Sequence, residues 1–389
     1  MKNNLAKAAA IVGAGALLLS ACGSGADGGS GGADELRVGV VLSLTGPAAP
    51  FGLPERDVVE LLADQVNEDG GVNGRKVALF IEDDKTNPTE AAKAVRKLIA
   101  DHKVHAIVGA TVGSATLAAA PIAAGSKVPM VAPNGTISIT DPKNDFADWV
   151  FRSSMNDALG IDKALANAHT AGHDDVGVIY QQDAYGESSL ERAREVADKT
   201  DGMKIVETGA APVTATDLSA QATKVVRANP DVVLIQASAP SFGAAAARAL
   251  KQSRYDGLVI VAAGLTQESF ISAAGDAAEG IESTGAIGWD KPTEGQQALI
   301  NLLKSSGKGE PKGFGEAIGG GAFNAVVAAA ESVKGDMTGE AIRDAMESAC
   351  FESYLHGPEV CFGADDHDGF TVENGANVRV TDGTWVTVQ

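Results

Sequence analysis

From residue 36 onward, short unbroken apolar runs alternate with longer stretches whose apolar residues recur every three or four positions. Runs of the first kind read as strands buried on both faces, and the second as helices that cover them. Leu36 to Leu44 is rich in β-branched residues and ends at Thr45-Gly46-Pro47. Val58, Val59, Leu61, Leu62 and Val66 give residues 57–67 a helical face, and Asp69-Gly70-Gly71 is a stop signal for it. Further strands are expected at 77–84, 106–109 and 128–133, with helices from Pro88 to Asp101 and from Ser114 to Ala124.

A second cycle begins near Met155. Helices are expected at 159–171, 187–200, 218–228 and 242–252, and strands at 175–181, 204–208, 231–236 and 258–262. Two successive α/β sets predict two doubly wound lobes built on parallel sheets. Ligands of such sheets bind beyond the carboxyl ends of the strands, so functional residues are expected just after strands.

The first residues add a destination. Lys2 and Lys7 precede an apolar run from Ala8 to Leu19 that is too short to span a bilayer and suits a signal peptide. The run ends Leu19-Ser20-Ala21-Cys22, which resembles the bacterial lipobox and implies a lipidated Cys22 after removal of residues 1–21. The alternative is a plain signal peptide with a chance cysteine. Residues 22–35 are almost entirely Gly, Ser, Ala and Asp, the composition of a flexible tether. Cleavage would remove two lysines and take the formal charge from −20 to −22. A chain so acidic has no basic patch for nucleic acid or anionic lipid, so any membrane attachment would come from the lipid. With Cys22 lipidated, Cys350 and Cys361 are left as a pair, read as a disulfide in an oxidising compartment or else as two buried thiols. About 355 residues follow residue 34, which suits two domains better than one.

Catalytic constellations are missing from the sequence. Its six histidines show no HExxH spacing, and no paired-cysteine metal motif occurs. Asp365-Asp366-His367-Asp368 lacks the order of a calcium loop and reads as a solvated turn. Ser114 is not in a GxSxG elbow, and Gly319-Gly320-Gly321, placed before an apolar helix, lacks the dinucleotide fingerprint. No cofactor, no metal site and no enzyme activity are expected. Anion-binding features are better represented. The strand at 106–109 leads through Thr111 and Gly113 into a helix opening at Ser114, and Asn134-Gly135-Thr136 follows the next strand. Helix-start N–H groups with nearby hydroxyls would suit a carboxylate, and ordinary capping by Ser114 and Thr136 is the equally open alternative.

Several segments resemble the leucine/isoleucine/valine-binding proteins, the type I periplasmic receptors of ABC importers. They are Val38 to Pro47, Gly70 to Lys76, Glu82-Asp83-Asp84, Val128-Pro129-Met130, Val150-Phe151-Arg152 and Asp183 to Glu187, in order between about residues 36 and 370. The resemblance implies a type I periplasmic binding protein fold with a three-strand hinge. Lobe 1 would comprise 36–154 and 286–363, and lobe 2 155–285 and 364–389. It places the family's carboxylate loop on Thr111 to Ser114, with Gly113 at the usual serine. Thr136 takes the following threonine, Asn134 the position that offers a carbonyl, Phe51 the aromatic after the first turn, and Tyr185 the tyrosine of the second lobe.

Two positions depart from that pattern. Ser238 stands where an aromatic is frequent, and Ala263 where an acid should take the ligand's ammonium. An ammonium buried without a counter-charge costs several kcal/mol. Either Asp157 or Asp183 substitutes, or the ligand has no ammonium. Trp289, near an expected crossover, is read either as a flat wall of the pocket or as a packed hinge residue. The overall reading is a monomeric extracytoplasmic receptor, lipid-anchored outside the cytoplasmic membrane, that passes a small carboxylate to ABC permease subunits. A receptor for a non-amino carboxylate or amide, a sensor without transport, and a secreted enzyme are the alternatives.

Overall fold

The structure is a computed structural model that describes residues 35–357 and 359–388. The expectations for the signal peptide, Cys22 and most of the tether fall outside the described residues.

The first sheet has five parallel strands: β1 (Glu35–Leu42), β2 (Lys76–Asp83), β3 (Ala106–Gly109), β4 (Met130–Ala132) and β5 (Val150–Arg152). Their order is β2-β1-β3-β4-β5. Helices α1 (Ala49–Glu68), α2 (Pro88–Lys97) and α3 (Gly113–Gly125) connect them. Successive residues of the strands serve opposite faces. Val40 and Val108 pack with α1, whereas Val41 and Ile107 pack with α2 and α3. A sheet covered on both faces needs such unbroken apolar runs.

Helix α1 starts eight residues earlier than the pattern of apolar residues predicts. Pro50 lies in the first turn, where no helical N–H partner is lost. Gly52 sits so close to the backbone of Ser43 that a Cβ there would lie 2.2 Å from the Ser43 carbonyl oxygen. Packing against β1, which a local pattern does not reveal, extends the helix.

The second sheet holds β6 (Asp175–Gln181), β7 (Lys204–Ala211), β8 (Val232–Gln236), β9 (Leu258–Val261) and β10 (Glu282–Ala286), joined through α4 (Asp157–Thr170), α5 (Ala184–Lys199), α6 (Ser219–Arg227), α7 (Pro240–Gln252) and α8 (Glu268–Ala274). The chain then runs through α9 (Glu294–Ser305), α10 (Gly315–Ser332) and α11 (Gly339–Met346), and through the short pair β11 (Cys350–Phe351) and β12 (Val360–Cys361). It returns as β13 (Ala376–Thr381) and β14 (Thr384–Val388), giving the order β14-β13-β10-β9-β8-β6-β7. The two-sheet α/β architecture is as expected, and the second sheet is mixed at its edge, where β13 pairs antiparallel with both β10 and β14. The connection from β13 to β14 is a two-residue hairpin turn at Asp382-Gly383, which antiparallel strands permit and parallel ones do not.

Cys350 and Cys361 face each other across β11 and β12 and are joined by a disulfide. Gly319, Gly320 and Gly321 lie inside α10 rather than before it. Side chains at the first two would strike Glu55 of α1 and Tyr354, so these glycines let α10 press against its neighbours. Among the described residues no helix is long and apolar enough to cross a membrane.

Candidate ligand-binding site

The loops beyond the carboxyl ends of strands from both sheets face one another around a narrow cleft with a cavity volume of about 30 Å³. Phe51 of α1, Thr111 and Gly113 after β3, and Asn134 and Gly135 after β4 come from the side of the first sheet. Asp157 at the start of α4, Tyr185 at the start of α5, Ser238 after β8 and Gly264 after β9 come from the side of the second. Ser154, in the segment between the sheets, and Phe314 and Ile318, around the start of α10, complete much of the wall. Thus seven of the residues singled out in the sequence line one cavity: Phe51, Thr111, Gly113, Asn134, Asp157, Tyr185 and Ser238.

Two parts of the lining differ in chemistry. Helix α3 opens at Gly113 with no side chain capping it, so its first N–H groups and the positive end of its dipole are turned to the loop. Asn134 holds that loop to the next, donating from Nδ2 to the Ala110 carbonyl (2.9 Å) and to Thr116 Oγ1 (3.0 Å). The Asp157 carboxylate, which the Tyr185 phenol approaches, has its Oδ2 sealed from solvent and without a hydrogen-bond partner among the described residues. It rests flat on Gly135, where a Cβ would lie 2.6 Å from Oδ2. Burial pushes Asp157 up to about 6, against the opposing pull of Arg152 and of the Tyr185 phenol beside it. Phe51, Phe314 and Ile318 supply the apolar part of the wall.

Five other expected residues stand off this wall. Ser114 is half-buried one position further along α3. Thr136 lies behind Gly113 with its hydroxyl buried and unpartnered, and it fills the space that a side chain at Gly113 would need. The side chain of Asp183 is taken up in capping α5, accepting from the N–H groups of Tyr185 (3.0 Å) and Gly186 (3.1 Å) and from Gln181 Nε2 (2.8 Å). Ala263 lines a small adjoining space that Asp157 also borders, so its neighbour Gly264 reaches the cavity instead, close to the Phe51 ring. Trp289 is packed against the core and donates from Nε1 to the Gly313 carbonyl (2.9 Å). Of the two acids considered as a substitute at 263, Asp157 faces the cavity and Asp183 is consumed as a cap. The Asn134 carbonyl is already approached by Arg152 Nη1 at 3.3 Å.

Behind the site lies a polar network that local patterns do not reveal. Arg152 is fully buried and donates to the Thr136 carbonyl (2.8 Å), to Thr140 Oγ1 (2.7 Å) and to Asp368 Oδ1 (2.6 Å). Asp368 also accepts from Asn156, the cap of α4 (2.9 Å), and thereby ties the loop after β4 to the helix that carries Asp157. His367 stacks on Phe151 with ring centroids 3.9 Å apart. The expectation of a solvated turn at 365–368 therefore holds for Asp365 and Asp366, which are exposed, and fails for His367 and Asp368. No spacing in the sequence links position 368 to 152; an aspartate beside an otherwise polar turn was the only trace. Phe314 and Ser154 were missed likewise, because distant elements bring them to the wall, whereas Gly135 lies in the expected cluster after β4.

A family model described as periplasmic binding protein matches residues 35–384. The leucine-, isoleucine-, valine-, threonine- and alanine-binding protein of Pseudomonas aeruginosa is 24% identical over 324 residues, covering 82% of this chain and 84% of that protein. A leucine-binding protein from Thermotoga maritima superposes with a TM-score of 0.80 at 22% identity, covering 91% of this chain and 98% of that one. An ABC transporter solute-binding protein from Rhodopseudomonas palustris, in complex with benzoate, gives a TM-score of 0.79 at 21% identity over 91% and 95% of the two chains. These relatives are binding proteins and not enzymes.

Proposed function

The chain belongs to the periplasmic binding protein family, and from that premise we propose that it is an extracytoplasmic receptor that closes around a small carboxylate ligand of the branched-chain amino acid type. One observation carries the amino acid reading. Asp157, whose Oδ2 is sealed from solvent without a hydrogen-bond partner among the described residues, lines the same cavity as Gly113 at the open N-terminus of α3. A buried polar atom without a partner is costly, and an ammonium group would supply the missing donor with opposite charge. The ligand carboxylate would lie at Gly113 and Thr111, the ammonium at Asp157, and an aliphatic side chain against Phe51 and Phe314. Asp157 thereby takes the role that the resemblance assigns to an acid at position 263. The Pseudomonas relative's name, which specifies aliphatic amino acids and threonine, supports the same ligand class.

In this reading lobe 1 (36–154 and 286–363) and lobe 2 (155–285 and 364–389) close on the ligand, and a lipid on Cys22 anchors the monomeric receptor beside ABC permease subunits. A second reading is a ligand without ammonium. Ala263 favours it, and so does the benzoate-bound neighbour of the same fold. Below pH about 6, Asp157 is the neutral acid and would tolerate such a ligand.

Isothermal calorimetry with L-leucine, L-alanine and benzoate on the wild type and Asp157→Asn separates the two. Under the amino acid reading, leucine or alanine binds and Asp157→Asn weakens it about tenfold or more. Benzoate binding that is unchanged or improved by Asp157→Asn, with no response to amino acids, would establish the second.

A further inference from the structure

Thr111 Oγ1 sits between two groups that fix its hydrogen. The Ser43 N–H donates to it at 3.0 Å, and Glu55 Oε2 lies 2.6 Å away on the other side. A threonine hydroxyl has one hydrogen and two lone pairs. If Glu55 is ionised, the Thr111 hydrogen must be given to it, and only a lone pair is left for the cavity. If Glu55 is neutral and donates, both lone pairs of Thr111 are occupied and its hydrogen is free to point into the cavity that Thr111 lines.

The surroundings of Glu55 decide between these states. Its side chain is completely buried on α1, and Oε1 has no hydrogen-bond partner among the described residues. The titratable groups facing it from other elements are Asp84, after β2, and Glu316 of α10, both buried acids with an unpartnered oxygen of their own. Neither offers positive charge, and Gly319 of α10 closes over its Cα and Cβ. An anion there would be desolvated, half unbonded and beside two like charges. Burial first, then the two acids, hold Glu55 well above the usual carboxylate range, which the Thr111 contact opposes. The proton belongs on Oε2, because on Oε1 it would leave a buried donor unpaired.

We propose that Glu55 is a positioning residue, held as the neutral acid, which donates to Thr111 Oγ1 and so makes the Thr111 hydroxyl a donor to an anionic ligand oxygen in the cavity. The inference rests on the carboxylate reading of the site and adds its condition. Carboxylate binding requires a protonated Glu55 and is lost when Glu55 ionises.

The test uses the full chain, Glu55→Gln and Thr111→Val. The Glu55→Gln side chain carries a permanent Nε2 donor towards Thr111 and cannot ionise. Infrared difference spectra of ligand-free protein at neutral pH should show a protonated-carboxyl band that Glu55→Gln removes and Thr111→Val shifts. Removal of an ionised-carboxylate band by Glu55→Gln would overturn the proposal, and so would a protonated-carboxyl band unmoved by Thr111→Val. For whichever of L-leucine and benzoate binds, wild-type affinity should fall about tenfold or more relative to Glu55→Gln as rising pH ionises Glu55. Glu55→Gln should lack that loss and keep only the changes that Asp157 and the ligand's own groups impose on both proteins. Asp157 and Glu316 also titrate near neutrality, and both remain in Glu55→Gln, so parallel profiles in wild type and variant would overturn the proposal. If neither probe binds, the carboxylate reading fails while the infrared bands still decide the state of Glu55.

Discussion

Arg152 and Asp368 meet in a 2.6 Å ion pair although 216 residues separate them in the chain. The guanidinium is wholly buried, while the carboxylate keeps about a quarter of its exposure. Arg152 belongs to β5, the last strand of the first sheet, and Asp368 to the segment that returns to β13. The pair therefore locks together pieces of chain that sequence order keeps far apart.

Breaking this pair leaves a buried cation. Asp368→Ala should destabilise the protein by roughly 3–5 kcal/mol, measured by urea unfolding at neutral pH. Arg152→Met/Asp368→Ala should cost less than Asp368→Ala alone, and an equal cost would refute the role of the stranded charge. Burial alone would raise the Asp368 carboxyl, but Arg152 and its hydrogen-bond partners win and hold it below its ordinary value of 3.8. Its stabilisation is present above that ordinary value and lost as pH falls through the lower folded one. Asp368→Asn should flatten this acid limb.

Position 113 offers a direct check of the wall. A Cβ built on Gly113 would lie 2.1 Å from Thr136 Oγ1 and 2.4 Å from Thr136 Cβ. Gly113→Ser, which restores the serine expected from the family pattern, should therefore destabilise the chain by about 1–3 kcal/mol. Gly113→Ser/Thr136→Ala should recover much of that in a thermal melt. A single variant as stable as the wild type would show that Thr136 moves aside.

Glu316 makes stability fall with rising pH. Burial pushes it up to about 7 from 4.5, and its Oε2 has no hydrogen-bond partner among the described residues. A raised folded value means that the native state holds the proton longer. Its contribution is whole below 4.5, is lost across the window from 4.5 to about 7, and is absent above. Glu316→Gln keeps an oxygen for the Lys312 N–H and removes the titration. Denaturant unfolding at pH 8 should find it more stable than wild type by about 1–3 kcal/mol, with no gain at pH 4. A gain of equal size at both pH values would assign the effect to something other than ionisation.

Reducing the Cys350–Cys361 disulfide should cost about 2–3 kcal/mol, from the loop entropy released over its separation of 11 residues. Cys350→Ala/Cys361→Ala should melt earlier than oxidised wild type and show no further response to reductant. A double variant as stable as the oxidised protein would mean that β11 and β12 hold the loop without it.

Much of the candidate site was legible because the strand-then-loop rule needs only local pattern. Thr111, Asn134, Asp183 and Ser238 all follow strands that apolar runs reveal, and Tyr185 and Asp157 open helices beside them. Position after a strand does not say which way a side chain points. Asp183 turns back to cap α5, whereas Asp157 turns to the cavity, and the same carboxylate chemistry serves two purposes. Gly113 and Gly135 carry no side-chain signal at all; their value lies in the space they leave for Thr136 and for the Asp157 carboxylate.

Hydrophobic periodicity by itself determined the α/β class, the two successive cycles and the positions of most strands along the chain, since each follows from residues close in the chain. The C-terminal antiparallel edge, the burial of Gly319 to Gly321 within α10 and the early start of α1 were decided by tertiary contact, because distant backbone sets the room available. The same holds for charge. Sequence shows that Glu55, Asp84, Asp157, Glu316 and Asp368 are acids, but only packing sets how each ionises. Arg152 beside Asp368 favours the anion, while the closed surroundings of Glu55 favour the proton. Desolvation and neighbouring charge act through distances in space, and these the fold alone establishes.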